Sequence, residues 1–139
     1  MPPKVSVVIP VYNVGKQLEK CLDSVVAQTF PDIEIIVVND GSTDNSPEII
    51  ARYADKDSRI VVIDKSNEGL AYARKSGIEA AQGEYIQHLD GDDFLEPDAI
   101  ELLYNKAIED AADMVVFPFW FDYVDEKKKR SSRPAPGVY

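Results

Sequence analysis

The chain has 139 residues, 45% of them hydrophobic, which suits one globular domain built around one sizeable core. Its formal charge of −10 argues against a nucleic-acid surface and against attraction to an anionic bilayer, since both need an excess of positive charge. The single cysteine, Cys21, excludes an internal disulfide, and no apolar run approaches the roughly 20 residues of a membrane helix.

The amino terminus, Met1-Pro2-Pro3-Lys4, lacks the apolar stretch of a signal peptide, so a cytoplasmic protein is expected. Val5 to Pro10 is a β-branched run with proline only at its end, where a strand tolerates it. Leu18, Cys21, Leu22, Val25 and Val26 recur at helical spacing, which predicts an amphipathic helix ending before Pro31, with Cys21 in the core. Ile33 to Val38 is nearly all apolar, as expected of a strand covered on both faces. Ser42 to Ser46 supply capping residues for a helix carrying Ile49, Ile50, Tyr53 and Ala54. Ile60 to Ile63 reads as a third strand. Gly69 to Ala81 reads as a helix whose small face (Ala73, Gly77, Ala80) permits close approach to the sheet. Tyr85 to Leu89 makes a fourth strand, and Pro97 opens a helix with Ile100, Leu103, Ala107 and Ile108 along one stripe. Met114 to Val124 is expected to be one long strand, or two joined at Pro118.

Strand–helix alternation with short connections predicts an α/β domain, a mostly parallel sheet with helices on both faces. Ligands of such sheets bind at the carboxyl ends of the strands. The first strand ends in Pro10-Val11-Tyr12-Asn13, the second in Asn39-Asp40-Gly41-Ser42 and the fourth in Asp90-Gly91-Asp92-Asp93, so all three should open onto one edge. Asp90 and Asp92, two residues apart in an extended segment, point to one side, and their oxygen donors suit Mg²⁺ or Mn²⁺ rather than zinc. The alternative is a solvated acidic turn. No G-x-G-x-x-G follows the first strand, so phosphates would be held through a metal on Asp90 and Asp92, helped by a cation such as Arg74 or Lys75. Asp40, an acceptor-only side chain at a strand end, can read an N–H on a nucleobase edge; a turn or helix cap is the other possibility, and Ser42, Thr43 and Asp44 already supply caps. His88 has no Ser or Cys elbow near it and is expected to be packed and hydrogen-bonded rather than catalytic.

Four segments in order then resemble the signature of family 2 glycosyltransferases: Val8 to Asn13, Val38 to Asp44, Asn67-Glu68-Gly69 through Ala73-Arg74, and Leu89 to Asp93. The resemblance covers nearly all of residues 4–124. It implies the Rossmann-like glycosyltransferase A-type fold and sugar transfer from a nucleotide-diphosphate donor, a UDP-sugar foremost, to a hydroxyl with inversion. The acceptor would be a saccharide or a lipid-linked saccharide, at the inner face of a cell envelope. By the same resemblance Pro10, Val11 and Tyr12 lie along the nucleoside, with Asn13, Gly69 and Gly91 among the substrate-binding positions. Asp40 contacts the base, Arg74 the base or diphosphate, and Asp90 the ribose or metal. Asp92 is the principal metal ligand and Asp93 a neighbour of the donor.

An inverting transferase of this family carries its general base in a later segment, and nothing after Asp93 looks like that group. Asp122, Asp125 and Glu126 adjoin Lys127 to Arg130, which reads as a solvated hairpin tip. Residues 1–130 are therefore expected to form a truncated nucleotide-sugar-binding domain, 131–139 a linker or cut end, and the base to lie beyond residue 139. Period 2 would put Phe117, Phe119, Phe121 and Tyr123 on one face with Trp120 opposite, an apolar strand open to homodimer formation through residues 114–124 or covered by the chain's own last helix. Two rival functions are a non-catalytic nucleotide-binding or assembly module, and a metal-dependent phosphohydrolase with Asp90 as nucleophile and Asp92 as acid. The second would want its acidic pair after the first strand.

Overall fold

The two longest β-branched runs become the two inner strands of a four-stranded parallel sheet, because only there are both faces of a strand covered. The computed structural model describes residues 1–117, 119–121 and 130–132, with side chains through Phe117. In it β1 (Val5–Val11) pairs with β2 (Ile33–Asp40) over its whole length, from Val5 opposite Ile33 to Val11 opposite Asn39. β3 (Ile60–Lys65) lies outside β2 and β4 (Tyr85–His88) outside β1, in the order β3-β2-β1-β4. All three pairings are parallel, and helices make the return connections. These are α1 (Leu18–Val26), α2 (Ser46–Lys56) and α3 (Leu70–Ala80), and α4 (Ala99–Glu109) follows β4.

Alternation along β1 divides the core. Val5, Val7, Ile9 and Val11 face α1 and α2, where Leu18, Cys21, Leu22, Val25, Ile49 and Ile50 are buried with them. Val8 faces the other way with Ile36 and Val38, against Ala73 of α3. A Cβ on Gly77 would lie 2.3 Å from Val8 Cγ1, so the close approach of α3 requires glycine there. Ala80, expected on the same face, is exposed. Ala81, one residue past the helix, packs in its place, since residues stack at intervals of four along this face: 73, 77, 81.

Pro10 falls inside β1 rather than at its end, and the sheet accounts for it. The Leu89 N–H donates to Val8 O at 3.0 Å, so Val8 turns its backbone groups toward β4. Pro10, two residues on, faces the same side where β4 has already ended at His88, and the missing N–H has no ladder to join. His88 is exposed on this outer strand, so the packed role expected for it is not found. The outer position of β3 likewise leaves Val61 and Val62 exposed.

The chain divides into two compact units, residues 1–104 and 105–139. In the second, β5 (Phe119–Phe121) pairs antiparallel with β6 (Arg130–Ser132), Phe119 opposite Ser132. The strand expected from Met114 does not form over residues 114–117. Ser131 and Ser132, expected in a linker, belong to β6. Pro118, Tyr123, the acids at 122, 125 and 126, the Lys127–Lys129 tip and the side-chain alternation beyond Phe117 lie outside the described residues.

Because the Gly77 contact is with another side chain deep in the sheet, Gly77→Ala should lower stability by about 1–3 kcal/mol in urea denaturation. Adding Val8→Ala should make the pair less destabilising than the sum of the two single changes; strict additivity would mean that α3 does not rest on Val8.

Candidate donor site at the strand ends

Register decides what meets at the carboxyl edge. Asn39 stands opposite Asp64, Asp40 opposite Lys65 and Val8 opposite His88, so the turns after β1, β2, β3 and β4 open side by side. Between them lies a cleft of about 380 Å³ lined by Pro10, Val11, Tyr12, Asp40, Gly69 and Asp92, among others. Asp90 and Gly91 line it too, and so eight of the site residues expected from sequence share one cavity.

The β1 and β2 turns are stitched to each other. Asn13, in the left-handed region at φ 51°, accepts with Oδ1 from Thr43 N–H at 2.7 Å and from Asp44 N–H at 3.2 Å. Its own N–H donates to Ser42 Oγ, and Asp44 accepts from Gly15 N–H. Asn13 does not line the cleft; its side-chain oxygen shapes the wall instead. Ser42 and Thr43, expected as caps, face Asn13, and the bond near the start of α2 is from Ser46 N–H to Asp44 Oδ1 at 2.9 Å.

Asp40 is 2% exposed, and each carboxylate oxygen accepts one backbone N–H at 3.0 Å, Oδ1 from Glu68 and Oδ2 from Gly69. It thus anchors the turn between β3 and α3, a partner no local Asx-turn rule would have found. Gly69, at φ 101° with open space where a Cβ would stand, is required for its backbone conformation. The same turn brings Asn67, Leu70 and Ala73 into the cleft; the family resemblance includes their segment but gives roles in it only to Gly69 and Arg74. Gly41, at φ 70°, lies against the backbone of Asn67.

On the opposite wall stand Asp90 and Asp92; these two and Asp93, which does not line the cleft, each place one carboxylate oxygen so that all lie within 4.8 Å of one another. The Asp93 N–H donates to Asp90 O at 3.0 Å and closes the turn. Gly91 is buried; a Cβ there would stand 2.9 Å from Val14 Cγ2 and 3.2 Å from Pro10 O. Partial burial, then the charges of Asp92 and Asp90, push the Asp93 carboxyl above the ordinary carboxylate range. Beneath the turn, burial and the same three acids push the Cys21 thiol up to about 12, which makes it an inert core group as expected. Arg74 of α3 answers the acids, its Nη2 2.8 Å from Asp90 Oδ1. Lys75, the other candidate cation, pairs with Glu79 instead. An all-oxygen cluster with one arginine beside it fits a hard divalent cation.

A parallel sheet with helices on both faces and carboxylates at its carboxyl edge is the α/β fold of the glycosyltransferase A type, and solved relatives share it. TarS of Staphylococcus aureus, solved with UDP-GlcNAc, superposes with a TM-score of 0.72 at 30% identity, over 76% of this chain and 31% of that one. A mannosyltransferase of Pyrobaculum calidifontis, solved with GDP-Man and Mn²⁺, gives 0.68 at 28% identity over 85% of this chain and 35% of that one. The glycosyltransferase GlyA of Streptococcus pneumoniae is 48% identical over 113 residues, 81% of this chain but 16% of its own length. Residues 6–137 match glycosyl transferase family 2, and the chain belongs to that family. It spans about a third or less of each of these relatives. Among the described residues no helix is long and apolar enough to cross a membrane.

Asp40→Ala should leave two backbone N–H groups without their partner and cost about 1–3 kcal/mol of stability. Hydrogen exchange at the Glu68 and Gly69 amides should accelerate with it, and Asp40→Asn should fall between. Unchanged protection at those two amides would show that the carboxylate does not hold the turn.

Proposed function

We propose that the chain is the donor-binding part of an inverting glycosyltransferase that uses a UDP-sugar, or another nucleotide-diphosphate sugar, with Mn²⁺ or Mg²⁺. The observation that carries this is the Asp90, Asp92 and Asp93 cluster, of which Asp90 and Asp92 line the same cleft as Asp40. The donors bound by TarS and by the mannosyltransferase, and the Mn²⁺ of the latter, support it by family likeness.

In this reading Pro10, Val11 and the half-exposed Tyr12 lie along the nucleoside. Asp40 keeps lone pairs on both oxygens after its two backbone bonds and accepts from a base N–H. Asp92 and Asp90 hold the cation, and Arg74, now on Asp90, turns toward the diphosphate as the acids gain a second counter-charge. The bound cation would neutralise the charge that develops on the diphosphate leaving group. Asp93 keeps the cleft acidic next to them. The general base that takes the acceptor hydroxyl's proton would lie outside residues 1–139, and so would the saccharide or lipid-linked acceptor site, in keeping with relatives of which this chain spans about a third or less. Work at the cytoplasmic face of an envelope, and pairing of two copies through residues 114–124, go with the same reading; Met114, Val116 and Phe117 are exposed there.

Thermal unfolding with UDP, GDP, dTDP or ADP, each with Mn²⁺ or with a chelator, tests it. Ligand at 100 times its dissociation constant should add about 2.7 kcal/mol. Asp92→Asn should remove the metal-dependent part of the shift. A melting temperature indifferent to every nucleotide, or a shift indifferent to Mn²⁺, would overturn the assignment.

A further inference from the structure

Between the acidic turn and α4 the chain runs through residues 94–98 with neither helix nor strand, so its backbone groups need partners from elsewhere. α1 and the residues just after it supply them. The Ser24 hydroxyl accepts from Leu95 N–H at 3.1 Å and donates to Cys21 O at 2.7 Å. Gln28 is 7% exposed and makes three bonds, donating to Ser24 O at 3.0 Å and Glu96 O at 2.6 Å and accepting from Ile100 N–H at 3.0 Å. The Thr29 N–H adds a bond to Pro97 O. Cys21 Sγ sits 3.6 Å from Asp90 O, inside the turn itself. Upstream, Leu89 is fixed by Val8 O. The turn that carries three like charges is therefore pinned at both ends, by β1 before it and by α1 after it.

We infer that Ser24 and Gln28 are positioning residues for the divalent cation, an inference that rests on the metal-dependent donor reading above. Neither lines the cleft. Both hold Leu95 to Ile100, and with them the carboxyl end of the turn on which Asp92 and Asp93 stand. Asp92 and Asp93 are exposed, and their mutual repulsion favours an open turn. With the downstream anchor cut, the turn relaxes outward, and a cation must first close it again, which weakens binding.

The test is titration of the 139-residue chain with Mn²⁺ alone, following free Mn²⁺ by electron paramagnetic resonance. Ser24→Val, which lacks the hydroxyl and matches Ser24→Thr in shape, and Gln28→Met should each weaken Mn²⁺ binding about tenfold. Ser24→Thr, which restores the hydroxyl, should recover it, and UDP binding in chelator should stay unchanged throughout. A lower melting temperature with unaltered Mn²⁺ affinity in Ser24→Val would mean that α1 only stabilises the fold, and would overturn the inference while the donor reading stands. If Gln28→Met fails to fold, the Ser24→Val and Ser24→Thr pair decides alone. Absence of Mn²⁺ binding by the unsubstituted chain would overturn the metal reading itself, and this inference with it.

Discussion

Three carboxylates held with oxygens inside 4.8 Å of one another repel, and the strand ends are arranged around that repulsion. Parallel pairing of β4 with β1 fixes where the acidic turn begins, and Gly91 lets it fold down onto Pro10 O and Val14. Arg74 reaches it from α3, on the opposite face of the sheet from α1. One arginine does not balance three acids, so the cleft retains a net negative charge that a divalent cation would complement.

The facing wall is built by different means. β1 and β2 end one residue apart in register, and their turns exchange side-chain and backbone hydrogen bonds through Asn13, Ser42 and Asp44. Asp40 then reaches across to the turn after β3 and sets the start of α3, the helix that carries Arg74. The two walls are thereby coupled. Asp40 holds the residues that open α3, and Arg74 of that helix meets Asp90.

Much of this was legible in the residues because it depends on period and on chain order. β1 and β2 declare themselves as apolar runs, and the rule that parallel sheets bind ligands at their carboxyl ends puts Asp40 and Asp92 on one edge, where they share a cleft. What sequence misses is whatever depends on a distant partner. At its strand end Asp40 suggests a base reader or a local cap, but that it accepts from backbone N–H groups 28 and 29 residues away is invisible in the sequence. Ala80 and Ala81 are equally small, and only the four-residue stacking against Val8 and Val38 selects Ala81. His88 and Pro10 both turn on β4 being short and outermost, which no local pattern encodes. Ser24 and Gln28 look like ordinary polar positions on a helix until Leu95 and Ile100 are seen against them.

The most direct test of the central claim is a crystal structure of this chain grown with UDP and Mn²⁺, with anomalous scattering recorded at the manganese edge. A single anomalous peak among Asp90, Asp92 and Asp93, with the diphosphate beside it and the base near Asp40, is the predicted result. A peak elsewhere, or UDP bound with Asp92 turned to solvent and no manganese near it, would contradict the account.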